Sequence, residues 1–399
     1  MPNTSLKALL VADGSGGHLI PALQTARAIA EAGGRVRVWY ALRAQTAPLA
    51  QALSAELRHP AIEIDAVPLQ PPTNPLTRLS SGSRLWRRAE RCFESFEPEV
   101  VVGFGGWISA PVVMAARLRR RTRIACMIHE QNVMMGRANR WLARWVDRIA
   151  VSFDATRDAL NRESVVTGLP VRERIGSISR EDGARRLSLD PSRFTILVLG
   201  GSQGARVLNR LMKEACPQFS PEEQEAWQIL HVAGPTDVPA LQETYRASGI
   251  RGRAIPFVPE MDAAYAAADL VVSRSGASTV AELARCGLPA VLIPYPHANG
   301  HQRANADLVE RTGGGFAIEE AEATPGRVLY ALRWLAADSA LRQRMGARMR
   351  RLDHPDAAER LRSAITDVAR AASAKVPPPA HPSRRGGMDA YQGALSNIS

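Results

Sequence analysis

Lys7 to His18 read KALLVADGSGGH, and Phe194 to Ala205 read FTILVLGGSQGA. Each stretch runs from a short apolar strand into a Gly/Ser loop. A helix-like segment follows each loop, over 22–32 in the first case and 206–214 in the second. The pair forms a weak internal repeat, and that repeat decides the fold. Around each copy, strands alternate with helices. RVRVWYA, EVVVGFGG and RIACMIHE follow in the first half, and WQILHVAG, LVVSRSG and PAVLIPY in the second. Alternating β and α units imply parallel sheets covered on both faces. Two such series predict an α/β protein of two doubly wound domains with a cleft between them.

A chain of 399 residues is long enough for two hydrophobic cores. A net charge of +12 points to an anionic partner, whether nucleic acid, an acidic membrane surface or a phosphorylated substrate. Cys92, Cys126, Cys216 and Cys286 are scattered with no C-x-x-C pair. That spacing argues against a zinc site or a disulfide framework and fits a reducing cytosol. The N-terminal apolar run is short and enters the glycine loop, unlike a secretory signal. The long uncharged stretch Val100–Ala116 is broken by Gly103, Gly105, Gly106 and Pro111, so it reads as strand, loop and helix start.

Gly168 and Pro170 interrupt the pattern in VVTGLPVRERI. The first domain is therefore expected over 1–170 and the second over 171–348. A basic helical segment follows over 349–372, and a Pro/Gly/Ser-rich tail over 373–399 has too little apolar material to pack.

A dinucleotide fold would need G-x-G-x-x-G after the first strand and an acid at the end of the second. The first loop lacks the third glycine, and RVRVWYALR ends in arginine. Nicotinamide and flavin cofactors are therefore not expected. Closely spaced glycines at a helix start still aim several N–H groups at one point, which makes an anion pocket. A tight βα turn would explain one such loop. Three loops at strand C-termini, near residues 14, 103 and 200, favour ligand binding.

The stretch from Ser273 to Ala306 is the densest in polar groups. A helix starts near Ser275–Ser278 and carries Glu282, whose carboxylate could accept from both hydroxyls of a ribose. His297, Asn299, His301, Gln302 and Asn305 crowd the next loop and suit the hydroxyls of a sugar. No carboxylate or thiolate completes a metal site beside the two histidines, so no metal is expected.

The motifs GSGGHLIPAL, VVGFGGWISAP, IHEQN, TGLPVR, LGGSQGA, PFVPEM, SRSGASTVAELARCGLPAVLIPYP and HANGHQRANA, over about 8–320, are in one fixed order. In that order they resemble the MurG family of GT-B glycosyltransferases. The resemblance implies two Rossmann-like domains and metal-independent, inverting transfer of N-acetylglucosamine from UDP-N-acetylglucosamine. The acceptor it implies is the muramyl 4-hydroxyl of lipid I, giving lipid II for peptidoglycan. It further implies a C-terminal helix crossing back onto the first domain, and a peripheral location on the cytoplasmic face of the bacterial inner membrane.

By the same resemblance, Ser202, Gln203 and Gly204 hold the donor diphosphate, and Arg172 contacts the nucleotide. Val258 offers backbone contacts to uracil, Glu282 binds the ribose, and Gln302, with His301, meets the N-acetylglucosamine. Ser15, Gly16, Gly17 and Asn132 approach the donor sugar from across the cleft. Gly14, Ser15, Gly16, Gly17, Gly105, Gly106 and Trp107 face the acceptor diphosphate. His18 is the candidate base and Glu130 the second candidate. Two residues depart from the family pattern: Asp13 stands where a glycine is usual, and Trp107 where a tyrosine is. A carboxylate beside a diphosphate pocket repels it unless turned away or paired.

Leu76, Leu79, Leu85 and Trp86 lie among Arg84, Arg87 and Arg88 in LTRLSSGSRLWRRAERCF. That mixture suits contact with an anionic inner-membrane surface; a plain surface helix would look similar. With 5% aromatics and no recognised module, nucleic acid is not an expected partner. Within GT-B enzymes the rivals are a transferase acting on another lipid and a sugar-nucleotide epimerase, against which HEQN and GFGG argue. A non-catalytic UDP-sugar-binding relic remains, separable by turnover.

Overall fold

The computed structural model describes residues 5–42, 50–51, 57–69, 74–200 and 205–374, without the side chains of residues 75, 76, 78 and 79. Its strands form two wholly parallel sheets. The first contains β1 (Lys7–Asp13), β2 (Arg35–Leu42), β3 (Ile62–Pro68), β4 (Val100–Gly103), β5 (Ala125–Glu130), β6 (Arg148–Val151) and β7 (Val165–Val166). The second contains β8 (Phe194–Leu199), β9 (Trp227–Val232), β10 (Arg251–Ile255), β11 (Leu270–Ser273), β12 (Ala290–Leu292) and β13 (Gly315–Ala317).

The two repeat strands lie inside their sheets. In β1, Leu9 and Val11 join one buried cluster, while Ala8, Leu10 and Ala12 join another on the opposite face. In β8, Leu197 and Leu199 point one way and Ile196 and Val198 the other. Side chains alternate with period two, so a strand apolar at every position must be covered on both faces.

Strand order places the cleft. The first sheet runs β3-β2-β1-β4-β5-β6-β7 and the second β10-β9-β8-β11-β12-β13. Order reverses between β1 and β4, and again between β8 and β11. Such switch points open a crevice at the strand C-termini, where open α/β sheets bind ligands. Here the crevices carry Gly14–Gly17 with Gly105–Gly106 in one domain, and Gly200 and Ala205 with Arg274–Ser278 in the other.

The first helix spans Gly16–Glu31, beginning well before the expected 22–32. Glycine's poor propensity hides this start. The last helix, Ala357–Ala374, buries Leu361, Ile365, Val368 and Ala369 with Leu10, Leu19 and Tyr40 of the first domain. It begins later than 349 because Pro355 lacks the N–H a helix interior needs. The chain thus crosses between domains twice, and the crossings touch: a Cβ on Gly168 would lie 2.3 Å from the His354 Cβ. Residues 375–399, including most of the expected tail, lie outside the described residues.

Candidate active site

β1 ends in Asp13, and the chain turns through Gly14 and Ser15 into the first helix. Ser15 is extended and serves as its N-cap residue. First-turn N–H groups have no intrahelical carbonyl, so this end of the helix attracts anions. The Ser15 Oγ lies 2.9 Å from the His18 Nδ1. The opposite edge of the imidazole rests on the β4 loop: a Cβ on Gly105 would sit 3.0 Å from both Cδ2 and Nε2 of His18. Gly105 and Gly106 have φ of +93° and +78°, where side chains are strained. A Cβ on Gly106 would also come within 2.7 Å of the Asp13 Cβ.

These contacts settle where Asp13 points. It is buried, faces Gly106 and accepts the Ser15 N–H at 3.3 Å. The carboxylate is tucked beneath the two glycine loops. Trp107 packs, half-buried, on the core of the first domain.

Glu130 at the end of β5 is 1% exposed, and both its oxygens are occupied. Oε1 accepts from the Asn132 N–H at 3.0 Å and its Nδ2 at 3.1 Å. Oε2 accepts from the Gly136 N–H at 3.0 Å and the Asn139 Nδ2 at 2.9 Å. Hydrogen bonds to a charged group contribute about 1.5–3 kcal/mol each, so this carboxylate organises the loop over 130–139. Its neighbour His129 is buried with Nε2 3.1 Å from the Gly168 carbonyl. Burial holds its pKa down to about 4.

In the second domain Glu282 lies on the helix Ala277–Cys286 and is 6% exposed. The Tyr265 hydroxyl donates to its Oε2 at 2.9 Å, and the Arg172 Nη2 lies 3.6 Å from Oε1. Burial raises its pKa, against the opposing pull of Arg172 and of the Tyr265 hydroxyl. Arg172 belongs to the first crossing between domains. It also lines a cavity of about 450 Å³, with Gln24 and Arg27 on one side and Pro259 and Glu260 on the other. The Val258 side chain is buried, while Phe257 beside it is 41% exposed.

Polar contacts join the domains. Asn305, fully buried, donates from Nδ2 to the Asn132 Oδ1 at 3.1 Å and to the Ser275 carbonyl at 3.0 Å. Its Oδ1 accepts the Val133 N–H at 2.9 Å. The His301 Nδ1 lies 3.0 Å from the Met134 carbonyl. Gln302 accepts the Tyr295 N–H through Oε1 at 2.9 Å. A Cβ on Gly17 would reach within 4.0 Å of the Ser278 Oγ. Two helix N-termini, one from each domain, therefore meet at the cleft.

Of the residues singled out in the sequence, Ser15, Gly16, Gly17, His18, Gly105 and Gly106 come together on one wall. Arg172 meets Glu282, and Asn132 meets Asn305. Ser202, Gln203 and Gly204 lie outside the described residues. Among the described residues no group of three or more His, Cys, Asp or Glu side chains could hold a metal. Sequence reasoning missed Tyr265 and Asn139, whose partners lie 17 and 9 residues away and leave no local signal.

Leu85 does not belong to the suggested membrane patch. It falls on the helix Pro75–Ser95, begun by a capping box between Asn74 and Thr77. Leu85 is 2% exposed and, with Ala89, Cys92 and Phe93, forms its core-facing stripe. Burying a leucine contributes about 2 kcal/mol, so Leu85 is committed to the core. Trp86 packs partly against the same core, and the Arg88 guanidinium stacks 5.0 Å from the Trp39 ring. Arg84 and Arg87 are exposed. The side chains of Leu76 and Leu79 lie outside the described residues.

Two Rossmann-like domains facing each other across a cleft make up the GT-B architecture. The model of the glycosyltransferase family 28 N-terminal domain matches residues 8–151, and that of the C-terminal domain matches 195–361. The chain belongs to this family and is a glycosyltransferase. It is 36% identical over 381 residues to the Mycobacterium avium UDP-N-acetylglucosamine–N-acetylmuramyl-(pentapeptide) pyrophosphoryl-undecaprenol N-acetylglucosamine transferase, covering 93% of this chain and 91% of that one. The crystal structure of Acinetobacter baumannii MurG matches with a TM-score of 0.70 at 26% identity, over 91% of this chain and 99% of that one. A Listeria monocytogenes structure described as a UDP-N-acetylglucosamine 2-epimerase matches with a TM-score of 0.68 at 13% identity, over 91% and 96%. That last likeness extends to the fold alone.

Proposed function

We propose that the protein transfers N-acetylglucosamine from UDP-N-acetylglucosamine to the muramyl 4-hydroxyl of lipid I, with inversion, to give lipid II. The observation that carries this reading is the Ser15–His18 pair, whose imidazole edge lies against Gly105 in the crevice between β1 and β4.

In this reading the lipid-linked diphosphate occupies Gly14–Gly17 and the loop Gly105–Trp107. The uridine ribose lies against Glu282, the base beside Val258 and Arg172, and the donor diphosphate at residues 202–204. Gln302 and His301 flank the donor sugar. The acceptor 4-oxygen attacks the anomeric carbon, and the bond from that carbon to UDP breaks. The hydroxyl proton passes to the His18 Nε2, the role a positioned base within hydrogen-bond reach performs. For Nε2 to accept that proton, Nδ1 must carry the ring proton, and donation from Nδ1 to the Ser15 Oγ favours that tautomer. Charge on departing UDP meets preorganised N–H donors at a helix N-terminus. Glu130 acts as a positioning residue for the loop over 130–139.

The enzyme would lie peripherally on the cytoplasmic face of the bacterial inner membrane, against its anionic surface. No helix among the described residues is long and apolar enough to cross a membrane. The test is to incubate the protein with UDP-N-acetylglucosamine and a soluble lipid I analogue without added metal, following disaccharide formation. UDP binding without product would leave a sugar-nucleotide-binding protein.

A further inference from the structure

His231, the penultimate residue of β9, is fully buried, and the mechanism above makes no use of it. It pairs in register with Val198, one residue before β8 ends. Its imidazole stands in the middle of a chain of hydrogen bonds. Nδ1 lies 2.6 Å from the Tyr245 hydroxyl, and Nε2 lies 3.0 Å from the Asn209 Oδ1. The Asn209 Nδ2 donates to the Ala233 carbonyl at 2.9 Å and to the Asp237 Oδ2 at 2.6 Å. Each direction in this chain is forced. A carbonyl and a carboxylate only accept, so Asn209 turns its NH2 group to them and its Oδ1 to His231. An amide oxygen also only accepts, so Nε2 carries the ring proton and Nδ1 is left to accept from Tyr245. Burial lowers the pKa of His231 to about 3, which keeps the imidazole neutral and this tautomer in place.

Asn209 lies one turn into the helix Arg206–Ala215, and its N–H donates to the Ala205 carbonyl at 2.9 Å. Ala205 is the N-cap residue of that helix, and alanine has no side-chain acceptor for the N–H groups of the first turn. Those groups and the helix dipole behind them suit an anion.

We propose that His231 is a positioning residue for the donor diphosphate, acting through Asn209 to hold this first turn against the end of β9. The inference rests on the donor site of the proposed function. A helix end acts on an anion only over its first turn, so a small tilt there weakens binding at the phosphates and spares the base and ribose. An apolar residue in place of His231 could fill the core but could not hold the Asn209 amide. Tyr245 belongs to another helix, Val238–Ala247, and touches only the far side of the imidazole. One half of the network therefore steers the donor helix, while the other half serves stability.

The test uses the full chain, with UDP and uridine as calorimetric probes. His231→Gln can still donate from its amide to Asn209, whereas His231→Asn is one methylene shorter and reaches only toward Tyr245. His231→Asn and Asn209→Ala should each weaken UDP binding about tenfold, the scale of one hydrogen bond. Both should raise the KM for the sugar nucleotide and leave the KM for the acceptor analogue as in wild type. Uridine, which lacks the diphosphate, should bind both variants as it binds wild type. His231→Gln should restore UDP affinity. Tyr245→Phe should lower the melting temperature and leave UDP affinity unchanged. Wild-type UDP affinity in both His231→Asn and Asn209→Ala would overturn the proposal. An equal loss in Tyr245→Phe, or an equal loss of uridine binding, would overturn it too by reducing the network to core packing. Wild type that binds no UDP would strike the donor site itself and this role with it, an outcome distinct from the loss of this role alone.

Discussion

Asn305 of the second domain and Asn132 of the first share a hydrogen bond of 3.1 Å across the cleft. The same Asn305 amide holds the Val133 N–H and the Ser275 carbonyl, so one buried side chain clasps three groups from two domains. Asn132 in turn donates to Glu130. Relative domain placement is therefore coupled to the loop over 130–139, which also borders Gly105.

Asn305→Ala is expected to cost about 1–3 kcal/mol of stability, the penalty for leaving buried partners unsatisfied. It should lower kcat much more than it weakens UDP binding, because Glu282 and Arg172 are untouched. Small-angle scattering should show a more open molecule. A variant with unchanged scattering and unchanged kcat would mean the clasp is incidental.

Ser15 and His18 make a second pair whose geometry predicts kinetics. His18→Ala is expected to lose about 10²–10⁴-fold in turnover, the usual contribution of general acid–base catalysis, while retaining UDP affinity. Ser15→Ala should lose less turnover than His18→Ala, since it removes one hydrogen-bond partner of Nδ1 and leaves the imidazole in place. Unchanged turnover would detach Ser15 from the tautomer role.

Glu282 is expected to govern nucleotide affinity. Glu282→Gln keeps the shape but removes the charge, and should weaken UDP binding by about 10–100-fold, the loss of a charged hydrogen-bond acceptor. Folding stability should also fall, because removing one partner of a buried ion pair leaves the Arg172 guanidinium without its counter-charge. Burial raises this carboxyl's pKa, so on acidification it protonates before an ordinary glutamate. UDP affinity measured by calorimetry should fall correspondingly early, and the Gln variant should show no such fall.

Stability itself should decline on mild acidification. Burial lowers the pKa of His129 to about 4 and that of His231 to about 3. Unfolded histidine titrates near ~6.5, so between these values only the unfolded chain takes up the protons. The stabilisation is complete above ~6.5 and drains as pH falls toward the folded values, at about 1.4 kcal/mol per pH unit for each residue. Denaturation midpoints should track this slope, and His231→Gln should flatten it. A slope that stays the same in the variant would exclude His231 as a source.

The legible parts of the molecule were those with short-range causes. Strands β1 and β8 announce themselves through the unbroken apolar runs Ala8–Ala12 and Ile196–Leu199, the pattern of a parallel strand covered on both faces. The glycine loops follow from the strands. Glu282 stood out through a local pattern, but Tyr265 and Arg172, which hold it, come from separate elements. Asn305 and Asn132 are 173 residues apart, and nothing local to either reports the other. The Arg-rich helix misled because Leu85 lies among arginines in sequence. At helical spacing, however, Leu85, Ala89, Cys92 and Phe93 share one face and the arginines point elsewhere.

The most direct measurement of the central claim is the balance sheet of one reaction. Wild-type protein, UDP-N-acetylglucosamine and a lipid I analogue should yield UDP and inverted disaccharide in equal amounts, and His18→Ala should yield neither at a comparable rate while still binding UDP. UDP release without disaccharide, or full turnover by the His18 variant, would contradict the account.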